Sequence, residues 1–345
     1  MKEINFGPFT PYVIKDEVTD IDYNGEDLWI TDLNKERYRV EEHGITNEFV
    51  EQFSHRIANE VNKPFNKMNN LLEAETEALR ISIVHESVAI SGRSICIRKS
   101  LPKVRMTERS ILEEQYCQKE VLNLLIHCVE AKMNFIFCGE PGVGKTECAK
   151  FFSQYIEANQ RVITIEDNPE LRYREINPGK DCVELRIDEK DFGYSKAIKT
   201  SLRQNPMWIM LSEARSTEVK YLLENWSTGV NGFTTIHTDD VRKIPDRIQN
   251  MMESARDGDR LENDIYEFVH VGILIRRKKG KAGGVIRYID QVCFFSREGE
   301  KNRITMIVED GHLVNRELPG EIYKKMRRAE IQDPFSGKKG GEKSL

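Results

Sequence analysis

The residues with the plainest chemistry form one short run, Gly139-Glu140-Pro141-Gly142-Val143-Gly144-Lys145-Thr146. It satisfies G-x-x-x-x-G-K-[ST] at every fixed position, with an apolar run before it and helical spacing after it. Glycines let the backbone curl until successive N–H groups point at phosphates. The helix that begins there adds its positive end. Lys145 is a mobile point charge able to reach the β- and γ-phosphates, and the Thr146 hydroxyl is a ligand for magnesium. The run predicts binding of ATP with Mg2+.

Hydrolysis needs more: a group to orient water and positive charge to meet the transition state. Glu213 follows the apolar run 208–211, and an acid at the carboxyl end of a sheet strand points into the ligand crevice. Glu213 is thus the candidate to polarise the attacking water; a solvent-exposed glutamate at a helix start is the other reading. Glu166 and Asp167 end the apolar run 162–165 in the same manner. One of them can hold magnesium or its water shell, or Asp167 can cap a helix with Pro169 just inside it. His237 follows the run 233–236 and is placed either to sense the γ-phosphate or to serve the structure alone.

These residues need strands to carry them. From Asn134 onward short apolar runs at 135–138, 162–165, 183–187, 208–211 and 233–236 alternate with helical spacing, as at Cys148, Phe151, Phe152 and Tyr155. That alternation predicts an α/β fold with a mostly parallel sheet covered on both faces. Upstream, Asn24-Gly25 signals a hairpin. Phe49, Phe53, Ile57 and Val61 recur every four residues as in an amphipathic helix, stopped by Pro64. Residues 80–84 and 94–98 alternate as strands do. The expected organisation is a small α+β domain over 1–100, a linker over 101–110, a nucleotide-binding domain over 111–325 and a disordered tail over 326–345.

Composition narrows the class. With 39% hydrophobic and 32% charged residues the chain reads as globular, and it contains no apolar run near the length of a membrane span. The amino terminus lacks an apolar signal core, so a cytoplasmic location is expected. A net charge of -5 argues against direct nucleic-acid binding. The seven cysteines form no Cys-x-x-Cys pair and the seven histidines show no ligand spacing, so reduced thiols are expected and a zinc site is not.

Taken together, these segments resemble the traffic ATPases of type II and type IV secretion, and most closely the conjugation and Tad/Flp pilus-assembly branch. Four boxes carry the resemblance in the family's order: the phosphate loop; the acidic box Ile163-Thr164-Ile165-Glu166-Asp167-Asn168-Pro169-Glu170-Leu171; residues 201–215, similar to an atypical Walker B box; and residues 228–238, ending in the His box. The resemblance implies a RecA-like P-loop NTPase domain with a smaller α+β N-terminal domain, and a homo-oligomer, a hexameric ring. It further implies partners in the membrane platform or coupling proteins of a secretion or pilus machine. Arg80 and Arg98 look like the family's arginines that face the nucleotide from the first domain. Two departures stand out: Met207 where the family commonly has Asp, and Ser212 where it commonly has Gly. The family's tetracysteine zinc element is absent.

The basic run Arg276-Arg277-Lys278-Lys279-Gly280-Lys281 lies between two apolar runs and predicts a hairpin loop, either solvated or in peripheral contact with anionic lipid. Three functions fit the whole sequence: an ATP-hydrolysing ring motor, an ATP-binding scaffold of the same machine with poor turnover, and a nucleic-acid motor.

Overall fold

The computed structural model of the chain describes residues 4–34, 36–76, 78–188, 191–252, 258–280 and 284–337, with the side chains of 258–260 left aside. Two compact units divide it: Met1–Pro102 with Lys279–Val285, and Lys103–Lys278 with Ile286–Leu345.

The first unit opens with the helical turn α1 (Thr10–Val13), followed by β1 (Val18–Tyr23), β2 (Leu28–Asp32), β3 (Arg37–Val40), α2 (Asn47–Glu60), β4 (Leu71–Glu75), β5 (Leu79–Val84) and β6 (Ser94–Lys99). The strands form one antiparallel sheet in the order β3-β2-β1-β6-β5-β4. Burial alternates along β5 and β6, which places Ile81, Ile83, Ile95 and Ile97 on the core face. Helix α2 begins where the Thr46 hydroxyl accepts the Phe49 N–H, and it buries Val50, Phe53 and Ile57. The β1–β2 turn is wider than a two-residue hairpin. Asn24 Oδ1 accepts from both Glu26 and Asp27 N–H groups, and Gly25 stands at φ 104°.

The second unit continues with α3 (Glu108–Glu113), α4 (Lys119–Glu130), β7 (Phe135–Cys138), α5 (Lys145–Ser153), β8 (Val162–Glu166), α6 (Tyr173–Ile176) and β9 (Cys182–Arg186). Then come α7 (Tyr194–Ser201), β10 (Trp208–Leu211), α8 (Glu218–Ser227), β11 (Asn231–Ile236), α9 (Ile244–Asn250), α10 (Gly258–Phe268), β12 (Val271–Lys279), β13 (Val285–Glu298), β14 (Lys301–Glu309), β15 (His312–Leu313) and α11 (Gly320–Arg328). Its sheet runs β15-β14-β13-β12-β7-β11-β10-β8-β9. The stretch from β12 to β9 is parallel, whereas β13, β14 and β15 pair antiparallel.

Alternate residues of β7 serve opposite faces. Phe135 and Phe137 join the core that holds α4 and α5; Ile136 and Cys138 join the core that holds α8 and α9. Burial on both faces explains why these strands read as unbroken apolar runs.

The tail expected to be disordered from residue 326 is instead packed as far as Phe335. Ile322 and Met326 sit one turn apart on α11, and Ile331 and Phe335 follow them into the α4 core. Asn123 Nδ2 donates to the Phe335 carbonyl at 3.0 Å, and a His127 ring nitrogen lies 2.8 Å from the Pro334 carbonyl. The charges of this segment mask three apolar anchors, Met326, Ile331 and Phe335. Residues 338–345 lie outside the described residues, as do Lys281, Ala282 and Gly283 of the basic loop. No helix among the described residues is long and apolar enough to cross a membrane.

Candidate nucleotide site

Strand β7 lies inside the parallel sheet, between β11 and β12, and its carboxyl end runs into residues 139–146. Gly139 has φ 140°, and a Cβ there would stand 2.5 Å from the Ile275 carbonyl oxygen on β12. Gly144, at φ 97°, occupies the left-handed position from which α5 starts. Both positions exclude an ordinary side chain on backbone geometry. Val143 is buried, while Glu140 and Pro141 are exposed, with Glu140 Oε2 4.0 Å from the Arg277 guanidinium. Cys148, Phe151 and Phe152 anchor α5 in the core and so fix the direction of its first turn.

Lys145 is folded over the loop. Its ammonium donates to the carbonyls of Gly139 at 3.0 Å and Glu140 at 3.1 Å and lies 3.3 Å from His237 Nδ1. Burial pulls its pKa below the usual lysine value, opposed by the nearby Glu213 charge. The Thr146 hydroxyl donates to Glu170 Oε2 at 3.3 Å.

Parallel register brings the remaining groups alongside. Leu211 of β10 stands opposite Ile165 of β8 and Thr234 of β11, and Ile236 stands opposite Cys138 of β7. The residues just past these strand ends therefore gather at one rim of the sheet, the carboxyl rim where α/β folds bind ligands. His237 Nε2 lies 2.7 Å from Glu213 Oε1. Glu213 Oε2 accepts two bonds from Arg215, at 2.9 Å and 2.7 Å, and Arg215 reaches Asp167 Oδ2 at 3.2 Å. An unbroken polar chain thus runs from Lys145 through His237, Glu213 and Arg215 to Asp167.

Glu166 stands apart from that chain. Its Oε1 accepts the N–H groups of Glu170 and Leu171 at 3.1 Å and 3.0 Å, which closes the turn after β8. Burial pushes its pKa up to about 8, against the pull of those two N–H groups. Glu166 Oε1 is thus committed to the backbone of this turn, and the carboxylate oxygen beside the Thr146 hydroxyl is that of Glu170. Glu170 and Arg215 are the site residues that sequence reasoning passed over. Both lie inside the boxes described above, and Glu170 sits four residues beyond Glu166, the spacing that sets it at the far end of the same turn.

The two departures fall differently. Ser212 is buried, and its backbone still bonds across the sheet: its N–H to the Ile165 carbonyl, its carbonyl from the Thr235 hydroxyl. Met207 precedes β10 at its amino end, the opposite end of the strand from Glu213. Arg80 and Arg98 belong to the first unit, directly opposite each other on β5 and β6. Arg98 pairs with Asp20 at 2.8 Å, and Arg80 lies 3.9 Å from Glu73. Among the described residues, no group of three or more His, Cys, Asp or Glu side chains is arranged to hold a metal by itself.

The fold is a RecA-like P-loop α/β unit accompanied by a smaller α+β unit. The profile of the type II/IV secretion system protein family matches residues 63–296, and the chain belongs to that family. An uncharacterised Bacillus anthracis protein is 28% identical over 300 residues, which span 83% of this chain and 67% of that protein. The type IV secretion system protein VirB11 of Bartonella quintana is 28% identical over 182 residues, 49% of this chain and only 50% of the relative. Among solved structures, the pilus retraction motor PilT with bound ADP superposes with a TM-score of 0.65 at 15% identity, covering 96% of this chain and 88% of that one. The Legionella pneumophila ATPase DotB gives 0.61 at 16%, covering 92% and 84%. At these identities the structural likeness is one of fold.

Proposed function

We propose that this chain binds and hydrolyses ATP and works as a ring motor of a secretion, conjugation or pilus-assembly machine. The observation that carries this reading is the Lys145–His237–Glu213 chain at the carboxyl rim, beside a glycine-curled loop that leads into α5.

The loop suits a phosphate tail on its own geometry: left-handed glycines, a helix start, and a lysine that now spends its donors on loop carbonyls. On binding, Lys145 exchanges those carbonyls for phosphate oxygens. Thr146, with Glu170 or Asp167 through water, would hold a magnesium ion, as hard oxygen donors do. Bound there, Mg2+ would neutralise phosphate charge. Glu213 accepts the proton of the attacking water, and His237 reports the γ-phosphate to Glu213. Arg80 and Arg98 are proposed to offset phosphate charge from the first unit. Loss of the γ-phosphate then removes the charge that drew those groups together, which is the event a motor can convert to movement.

The name of the VirB11 relative supports a type IV secretion setting; within it the ring is proposed to work at the cytoplasmic face of a membrane, with a membrane subunit as partner. A second reading, an ATP-binding scaffold with poor turnover, draws on the engagement of both Glu213 oxygens by Arg215 and His237. Steady-state ATPase assays separate the two. Lys145→Ala should abolish tight ATP binding. Glu213→Gln should bind ATP and turn over about 10²–10³-fold more slowly. An unmodified chain that binds ATP without turnover would establish the scaffold.

A further inference from the structure

The basic run that begins at Arg276 enters no step above. Its first three cations fall on two faces of β12. Alternate residues of that strand serve opposite cores: Ile273 and Ile275 join the one that holds Val143 and α5, and Leu274 joins the other. Arg276 and Lys278 follow the parity of Leu274. The Arg276 guanidinium donates to Asp290 Oδ2 at 2.7 Å and to the Asp239 carbonyl at 2.7 Å, and the Lys278 ammonium lies 4.5 Å from the centre of the Tyr288 ring. Arg277 follows the parity of Ile275, on the face that carries the phosphate loop.

Strand β12 runs parallel to β7, with Leu274 opposite Cys138. Residues past Leu274 therefore rise beside residues past Cys138. The Ile275 carbonyl stands against Gly139, and the Arg277 guanidinium stands 4.0 Å from Glu140 Oε2. The adjoining β13 passes the other end of the loop. There the Cδ of Arg287, a residue engaged within the chain, lies 3.6 Å from the place a Cβ on Gly144 would take.

Glu140 is at odds with its surroundings. A carboxylate on a loop that turns its N–H groups toward anions repels the phosphates the loop suits. Arg277 is the cation beside that carboxylate, and it is held loosely. At 4.0 Å the pair is at the outer limit of an ion pair, and the two side chains are 42% and 67% exposed. A pair so open contributes little. Phosphate oxygens suit a guanidinium better, because its fork can make two parallel N–H···O bonds to them. Lys145 is in the same condition, its ammonium on the carbonyls of Gly139 and Glu140. Glu140 thus occupies two cations of this rim, Lys145 by its backbone and Arg277 by its side chain.

We propose that Arg277 is a phosphate ligand of the nucleotide site and that Glu140 is its latch. The Glu140 carboxylate holds the guanidinium beside the loop. An incoming triphosphate tail, more highly charged than one carboxylate, takes the guanidinium over and leaves Glu140 to water. The tail is that of the nucleotide proposed above, and the latch rests on that reading.

Titration of the full chain with ATP at fixed ionic strength, with inorganic tripolyphosphate as competitor, tests the latch. A native chain that binds no ATP overturns the nucleotide reading and the latch together. For a native chain that binds it, three variants decide. Arg277→Gln should weaken ATP about 10- to 100-fold, as loss of a hydrogen-bonded charge does, with the thermal midpoint unchanged. Tripolyphosphate should lose affinity by the same factor; a loss confined to ATP would put Arg277 on the base or ribose and sink the proposal, and so would no loss at all. Glu140→Gln should tighten ATP about two- to fivefold, the scale of an exposed pair released. In the double variant that gain should vanish, because no guanidinium is left to release. An equal gain in both backgrounds would reduce Glu140 to a charge that repels phosphate, and a double variant with native affinity would reduce Arg277 to a screen for it. Either result removes the latch and leaves ATP binding standing. Should Arg277→Gln fail to fold, Glu140→Gln decides alone: unchanged or weaker ATP binding refutes the proposal.

Discussion

His237 and Glu213 meet at 2.7 Å, across two strand ends that adjoin in the sheet. On its other side the same imidazole lies 3.3 Å from the Lys145 ammonium. One ring therefore touches both the group proposed to hold the phosphates and the group proposed to activate water.

Removing that ring should separate binding from turnover. In His237→Ala, Lys145 keeps its loop carbonyls and Glu213 keeps Arg215. Turnover should fall about 10- to 100-fold, while ATP affinity, measured by titration, should change less than about threefold. An equal loss in both would place His237 in binding rather than in relay.

Gly139→Ala should damage the loop itself. The new Cβ would meet the Ile275 carbonyl at 2.5 Å, and the φ of 140° is strained for any other residue. A loss of about 1–3 kcal/mol is expected. It should be visible in thermal unfolding and be accompanied by loss of ATP binding, with the far-UV circular dichroism unchanged at low temperature.

Acid should weaken the second unit through His270. Its Nδ1 accepts the Asn134 N–H at 2.9 Å, and burial pushes its pKa down to about 3. An unfolded histidine titrates near ~6.5, so between that pH and about 3 the unfolded chain holds a proton that the native one lacks. The stabilisation is whole above the unfolded pKa and falls with pH below it, by up to about 1.4 kcal/mol per pH unit. Urea midpoints of native and His270→Asn chains, compared from pH 7 to pH 4.5, should differ in slope in that sense; parallel slopes would refute it.

Phe335→Ala tests the packed tail. Phe335 is 8% exposed, and the Arg316 guanidinium lies 5.3 Å from its ring centroid. Truncation should cost about 3 kcal/mol. Limited proteolysis should then cut after α11 at enzyme concentrations that leave the native chain whole.

Much of this molecule is legible in its linear order. The phosphate loop, the strands that flank it and the helix that follows are local features. A curl of the backbone needs glycines at set positions, and a strand buried on both faces needs an unbroken apolar run, whatever lies elsewhere. The acids and the histidine at strand ends could be named for the same reason: a strand's carboxyl end is visible where its apolar run stops.

Which of these groups touch was decided by the sheet. Lys145 and His237 stand 92 residues apart, and Arg215 and Asp167 stand 48 apart. They meet only because β11 lies beside β7, and β8 beside β10. The same order commits Glu166 to a turn and leaves Glu170 beside Thr146, a division that two acids four residues apart do not reveal alone. The tail was hidden for a related reason. Three apolar anchors among many charges mean little until α4 offers them a surface. Composition and periodicity set which elements form. Side-chain pairing across the sheet, a long-range property of strand order and register, set what they do together.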